Sequence, residues 1–416
     1  MPWVRSFAPR IEPALIVIAA GVCAALHVGK LAPAIPTLRE ALGLTLVQAG
    51  FALSLVQLAG MSLGLVFGVV ADGLGARRSM VLGLCLLAAA SALGGAAQGA
   101  TLLMGLRALE GFGFLLVVLP APGLVRRLVT PQRLSAMLGV WGTYMPFATA
   151  LVLLIGPPLI GALGWRVWWW GLAALTLAMA LVLARSVPAD APARAAQEAS
   201  AAEPWVARLR QTLSAPGPWL VALTFALYSS QWLAVVGFLP AIYAQAGVGA
   251  AASGLLSALA AGVNMLGNLG AGRRLQRGVA PGWLLATGFI VMGLAACAAF
   301  AGAPGAGLPP LLRYGAVLLF SGFGGLIPAT LFALAMRVAP GEGTLATTVG
   351  WLQQWSAGGQ MLGPPAVAWV ASQAGGWQWT WLATGACSLL GLALAAVLSR
   401  YVGGAIRQTP HVARQD

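Results

Sequence analysis

Gly68-Val-Val-Ala-Asp72-Gly-Leu-Gly75-Ala-Arg77-Arg78 is a short charged turn set between two apolar runs, residues 46–70 and 79–97. Gly68 permits close helix approach, Gly75 permits a tight turn, and Asp72 can accept from an arginine or lie near a helix N-terminus. The flanking runs are each long enough to cross a bilayer, which takes roughly 20 apolar residues. The same alternation continues outward in both directions. Further runs fall at 13–32, 101–123, 135–160, 167–184, 218–240, 251–271, 282–302, 311–336, 345–371 and 378–399. Twelve spans are expected, and an even number places both chain ends on one side.

Composition agrees with that reading. Of 416 residues 60% are hydrophobic and 8% charged, against about 25% charged in soluble globular chains. Large extramembrane domains are excluded. The formal charge of +14 comes from arginines grouped in twos and threes between apolar runs, which argues against nucleic-acid binding and fits the positive bias of cytoplasmic loops. With a cytoplasmic N-terminus, eighteen arginines from Arg5 to Arg414 fall inside, and only Arg39, Arg166 and Arg313 fall outside. Both termini are therefore expected to be cytoplasmic in a multi-pass protein of a bacterial inner membrane. The first run is read as a retained helix, not a cleaved signal. Cys23, Cys85, Cys297 and Cys387 lie inside apolar runs without CxxC spacing, so neither a disulfide framework, a metal site nor a cofactor is expected.

The longest polar segment, 185–217, divides the chain into an N-terminal bundle (1–184) and a C-terminal bundle (218–400), followed by a tail (401–416). It is read as a plain linker, the alternative being a short amphipathic surface helix around Trp205 to Leu213. Each half carries a basic loop after its second run, Asp72 to Arg78 in one and Gly272-Arg-Arg-Leu-Gln-Arg-Gly278 in the other. Matching punctuation of this kind marks two structural repeats.

The opening stretch resembles the signature between the second and third helices of the major facilitator superfamily, G-x-x-x-D-x-x-G-R-R/K-R/K. Gly68, Asp72, Gly75, Arg77 and Arg78 match, while Ala76 stands where the family often has a basic residue. The resemblance implies an all-α polytopic membrane protein, with twelve transmembrane helices in two pseudo-symmetric six-helix bundles. It also implies that these five residues form a gate latch. A second match, Arg107-Ala-Leu-Glu110-Gly111-Phe-Gly113 in the fourth run, looks like the family's R-x-x-Q-G-x-G with Glu110 replacing Gln. A third, Gly156-Pro157-Pro158-Leu-Ile-Gly161, is similar to a GPxxGG motif associated mainly with proton-coupled exporters, with Ala162 in place of the last glycine.

Arg107 and Glu110 are three apart and share a helical face. Placing an ionisable group at membrane depth costs at least about 2.5–3.5 kcal/mol, so both are candidates for function. Glu110 is read either as a proton-carrying carboxylate or as half of a permanent ion pair. His27 and Lys30, the latter the chain's one lysine, are also three apart. Lys30 either snorkels to the interface, with His27 a satisfied helix residue, or both line a central cavity and attract an anionic solute. Ionised Lys30, Arg107 and Glu110 sum to a single positive charge. Tyr144, Tyr228, Gln231, Asn264, Asn268, Gln353 and Gln354 are candidate substrate contacts, or interhelical hydrogen-bonding groups.

The expected activity is secondary active transport of a small organic solute by alternating access, with protons as coupling ion and efflux of a drug or siderophore-like metabolite as the direction. Uptake of a small anion is the alternative, and a non-transporting sensor a lesser one. His27 and His411 are the only histidines and no HExxH occurs, so an enzyme is not expected. The chain is expected to work as a monomer in the lipid bilayer.

Overall fold

The computed structural model describes residues 12–65, 75–190, 205–302, 307–341 and 344–408. Among these there are helices and no strands, as a bilayer requires, because an intrahelical ladder satisfies the backbone without water. Eleven helical segments are long and apolar enough to cross a membrane: α1 (Pro13–Leu42), α2 (Leu46–Leu65), α3 (Ala76–Gly95), α4 (Ala100–Leu128), α5 (Pro131–Leu163), α6 (Trp165–Ser186), α7 (Pro216–Gln245), α8 (Ala250–Gln276), α9 (Pro281–Phe300), α10 (Pro310–Val338) and α12 (Trp377–Gly403). The twelfth, α11 (Leu345–Ala374), is equally long. It carries Gln353, Gln354 and Gln360, and their cost is offset by burial against α7 and α2 instead of lipid.

The segment between the bundles is not the plain linker expected. Trp205–Ser214 is a helix that packs on α7 and α11, with apolar residues on one side and Arg208 and Arg210 in the same short element. Just past α6, Asp190 is tied to the N-terminal bundle. Its two carboxylate oxygens accept from the backbone N–H groups of Arg77 and Arg78, both at 3.0 Å. These are orphan donors at the first turn of α3, where a negative charge is favoured. Gly75 precedes that turn at φ 88°, and a Cβ there would collide with the Asp190 carboxylate. The Arg77 guanidinium donates to the Ala184 carbonyl at the end of α6. Gly68 and Asp72 lie outside the described residues.

The bundles meet along α2–α11 and α5–α8, and α7 also packs on the end of α1. On α2–α11, Gln57 Nε2 donates to Gln360 Oε1 at 2.9 Å and Leu65 N donates to Gln354 Oε1 at 3.1 Å. On α5–α8 the two backbones come close together. A Cβ on Gly254 would lie 2.9 Å from the Leu153 carbonyl oxygen and 3.2 Å from Pro157, so only glycine lets α8 approach this closely. In the helix-five motif, Gly156 is pressed against Pro33 of α1, whereas Gly161 faces open space. Of the two glycines, Gly156 is therefore the one that serves close helix packing.

Candidate functional site

Four ionisable side chains meet inside the N-terminal bundle. His27 and Lys30 are fully buried, and Arg107 and Glu110 are each 1% exposed. Lys30 thus neither snorkels to the interface nor opens onto a cavity between the bundles. Its ammonium turns toward α3, α4 and α6, with every partner drawn from the N-terminal bundle. The reason is local: in α1 the 27/30 face meets Glu110, the one buried carboxylate among the described residues, and a buried cation goes to its counter-charge.

The geometry assigns every proton. Lys30 Nζ lies 2.5 Å from Glu110 Oε1, 2.8 Å from Ser91 Oγ and 3.1 Å from His27 Nδ1. An ammonium has three donors and no lone pair, so all three are used and Nδ1 must accept. His27 then carries its proton on Nε2 and donates to Thr176 Oγ1 at 2.7 Å, while the Thr176 hydroxyl donates to the Leu172 carbonyl at 2.7 Å. Ser91, having accepted from Lys30, donates to the Trp169 carbonyl at 2.9 Å. The Trp169 ring lies beneath the ammonium at 4.9 Å, a favourable cation–π distance.

Glu110 is held from the other side by Arg107, whose Nη1 lies 2.5 Å from Oε2. The same guanidinium donates to the carbonyl oxygens of His27 (2.6 Å), Val28 (3.4 Å) and Ala52 (3.1 Å). Arg107 therefore ties α4 to both α1 and α2, with its charge faced by one carboxylate and three carbonyl dipoles. With His27 neutral, the cluster holds two cations and one anion and carries one net positive charge. Ser91, Thr176 and Trp169 were not singled out from sequence. The available signal was a hydroxyl within an apolar run: Ser91, with Ser79, in the third and Thr176 alone in the sixth.

The candidate substrate contacts fall into separate places. In the C-terminal bundle, Asn264 Nδ2 lies 3.0 Å from Tyr228 Oη and 2.8 Å from the Ser321 carbonyl oxygen, and Asn268 Nδ2 donates to Asn264 Oδ1 at 3.0 Å. Gln231 faces α12, where its Oε1 accepts from Ser388 at 3.0 Å. Gln354 bridges to α2, and Gln353 is half-buried on the next position. Tyr144 is buried in the N-terminal bundle, stacked on Trp141 at 4.5 Å. These residues do not converge on one cavity. No group of three or more His, Cys, Asp or Glu side chains able to hold a metal occurs among the described residues.

Comparison with known proteins agrees with this architecture. The chain resembles a crystal structure of a bacterial homolog to the human lysosomal transporter Spinster, in an inward-facing and unoccupied conformation. The TM-score is 0.74 at 14% sequence identity, covering 96% of this chain and 98% of that chain; this likeness is one of fold. No curated protein matches the chain. The family model described as Major Facilitator Superfamily matches residues 17–355. This multi-pass membrane protein therefore belongs to the major facilitator superfamily of secondary transporters.

Proposed function

We propose that the protein is a proton-coupled exporter that carries a small organic solute out across a bacterial inner membrane, with both termini in the cytoplasm. The observation that carries the coupling is the buried Lys30–Glu110–Arg107 cluster: three ionised groups sealed in one bundle, at a desolvation cost that a purely structural core avoids with apolar residues. Because its partners lie on α1, α2, α3, α4 and α6, a change in its charge alters the packing among the helices of the N-terminal bundle. In alternating access that bundle rocks against the other around a midplane site. Arg107 supports this role by holding α1, α2 and α4 together.

Export is supported by the resemblance of Gly156-Pro157-Pro158 to the motif of proton-coupled exporters, and cytoplasmic termini by the distribution of arginines. Uptake of a small anion is the second reading, favoured by the cluster's single positive charge. The test compares small-molecule profiles inside and outside cells that lack or express the protein. A solute enriched outside only on expression establishes export and names its cargo; enrichment inside reverses the direction. No change with the protein present in the membrane contradicts transport of any solute the cells contain.

A further inference from the structure

The cluster can exchange a proton at three places, and they differ in the net charge left buried. A proton added to Glu110 must sit on Oε1, which faces Lys30 Nζ at 2.5 Å, or on Oε2, which faces Arg107 Nη1 at 2.5 Å. Each oxygen already receives an N–H and would take the proton on its second lone pair, which turns a charge-assisted contact with a cation into a weaker neutral one. A proton added to His27 must sit on Nδ1, which faces the same ammonium at 3.1 Å and lies 3.9 Å from Glu110 Oε1. Both additions raise the buried net charge from one to two. Loss of a proton from Lys30 instead lowers it to zero and leaves the Arg107–Glu110 pair self-neutralising, the cheaper direction in a low-dielectric interior.

We propose that Lys30 carries the coupling proton, with Arg107–Glu110 as its fixed counter-pair and His27 as the first acceptor of the departing proton. This rests on the proton-coupled reading above and names the residue within it. In the departing step the Nζ–H bond breaks and its electron pair stays on Nζ, while a new N–H forms on His27 Nδ1. His27 gives up its Nε2 proton to Thr176 Oγ1, and the threonine hydroxyl, fully buried and turned to the Leu172 carbonyl in this state, passes its own proton to a water that reaches it in the other state of the alternating-access cycle. The product network is again complete: neutral Lys30 donates to Ser91 and Glu110 and accepts from Nδ1–H, and Thr176 donates to Nε2. The groups along this path are His27 on α1, Ser91 on α3, Glu110 and Arg107 on α4, and Thr176 and Trp169 on α6, with the Cys23 thiol of α1 3.5 Å from Thr176 Oγ1. Among the described residues, α2 and α5 add no ionisable side chain to these bonds.

The chain's composition makes the test direct. Lys30 is the only lysine, and His27 and His411 are the only histidines. Wild-type protein labelled with 13C at the lysine Cε and 15N in the histidine rings gives one lysine resonance and two ring systems. It is titrated in detergent from about pH 5 to about pH 10 alongside infrared difference spectra. The expected result is a single step of the lysine signal from ammonium to amine, with a simultaneous switch of one histidine from the Nε2–H to the Nδ1–H tautomer and no carboxylic-acid band lost in Glu110→Gln. A lysine that stays an ammonium, with a carboxylic-acid band appearing on acidification and absent in Glu110→Gln, overturns the assignment to Lys30 and leaves proton coupling standing on Glu110. A cluster in which lysine, histidine and carboxylate all stay fixed contradicts both.

Discussion

The two bundles put the same helices to different use. In the first, α1 and α6 are bridged by His27 and Thr176; in the second, α7 and α12 are bridged by Gln231 and Ser388. Around the first bridge stand Lys30, Arg107 and Glu110; around the C-terminal core stand Tyr228, Asn264, Ser321 and Trp232, all uncharged. A neutral network is satisfied once and for all by its hydrogen bonds. A charged one depends on its proton count, so the N-terminal bundle alone among the described residues has a buried core whose electrostatics a proton can change. The comparison teaches that one half supplies the variable charge and the other a fixed wall.

The largest effect should come from breaking the charge balance of the first bundle. Glu110→Gln leaves two buried cations without their carboxylate and is expected to lose about 3–5 kcal/mol of stability, read by denaturant titration in mixed micelles. Lys30→Gln keeps the Arg107–Glu110 pair and forfeits hydrogen bonds to Ser91 and His27, a loss of about 1–3 kcal/mol. Equal losses in the two variants would show that the carboxylate is not the keystone of the cluster.

Next in size is the matching change in the second bundle. Asn264→Leu removes the donor to Tyr228 and to the Ser321 carbonyl, costing about 1–3 kcal/mol, and should leave the pH profile of transport where it was. A displaced profile would mean that the C-terminal network also takes part in coupling. The smallest effect is expected where the end of the N-terminal bundle is anchored back onto α3. Asp190→Ala removes the acceptor for two N–H groups at the start of α3, worth about 1 kcal/mol by analogy with helix capping. Hydrogen exchange at the Arg77 and Arg78 amides should become faster; unchanged exchange would deny Asp190 a clamping role.

How far these features could be read beforehand depended on their range in sequence. The all-helical, multi-pass fold followed from apolar length alone, since burying backbone in lipid leaves little choice of structure. The pairing of Arg107 with Glu110 was legible as well, because three residues separate them on one helix. Lys30 joining Glu110 was not: the two are eighty positions apart, and nothing local says which way the 27/30 face of α1 turns. Asp190 reaching back to Arg77 and Arg78 is hidden for the same reason. The helix at Trp205–Ser214 is amphipathic yet short, so its burial against α7 and α11 decides its structure more than its own composition does. Gln354 and Gln360 read equally well as cavity residues or as bonds between helices, and only the α2–α11 crossing separates the two.

The central claim, that charge in the N-terminal bundle couples proton movement to transport, is tested most directly in proteoliposomes loaded with the solute named by the profiling experiment. Wild-type protein and Lys30→Arg are compared, since a guanidinium keeps the positive charge and cannot release a proton. The account predicts that an imposed pH gradient drives net solute movement by wild type, while Lys30→Arg retains solute exchange at equilibrium and loses the gradient-driven component. Net transport by wild type that is indifferent to the gradient would contradict it.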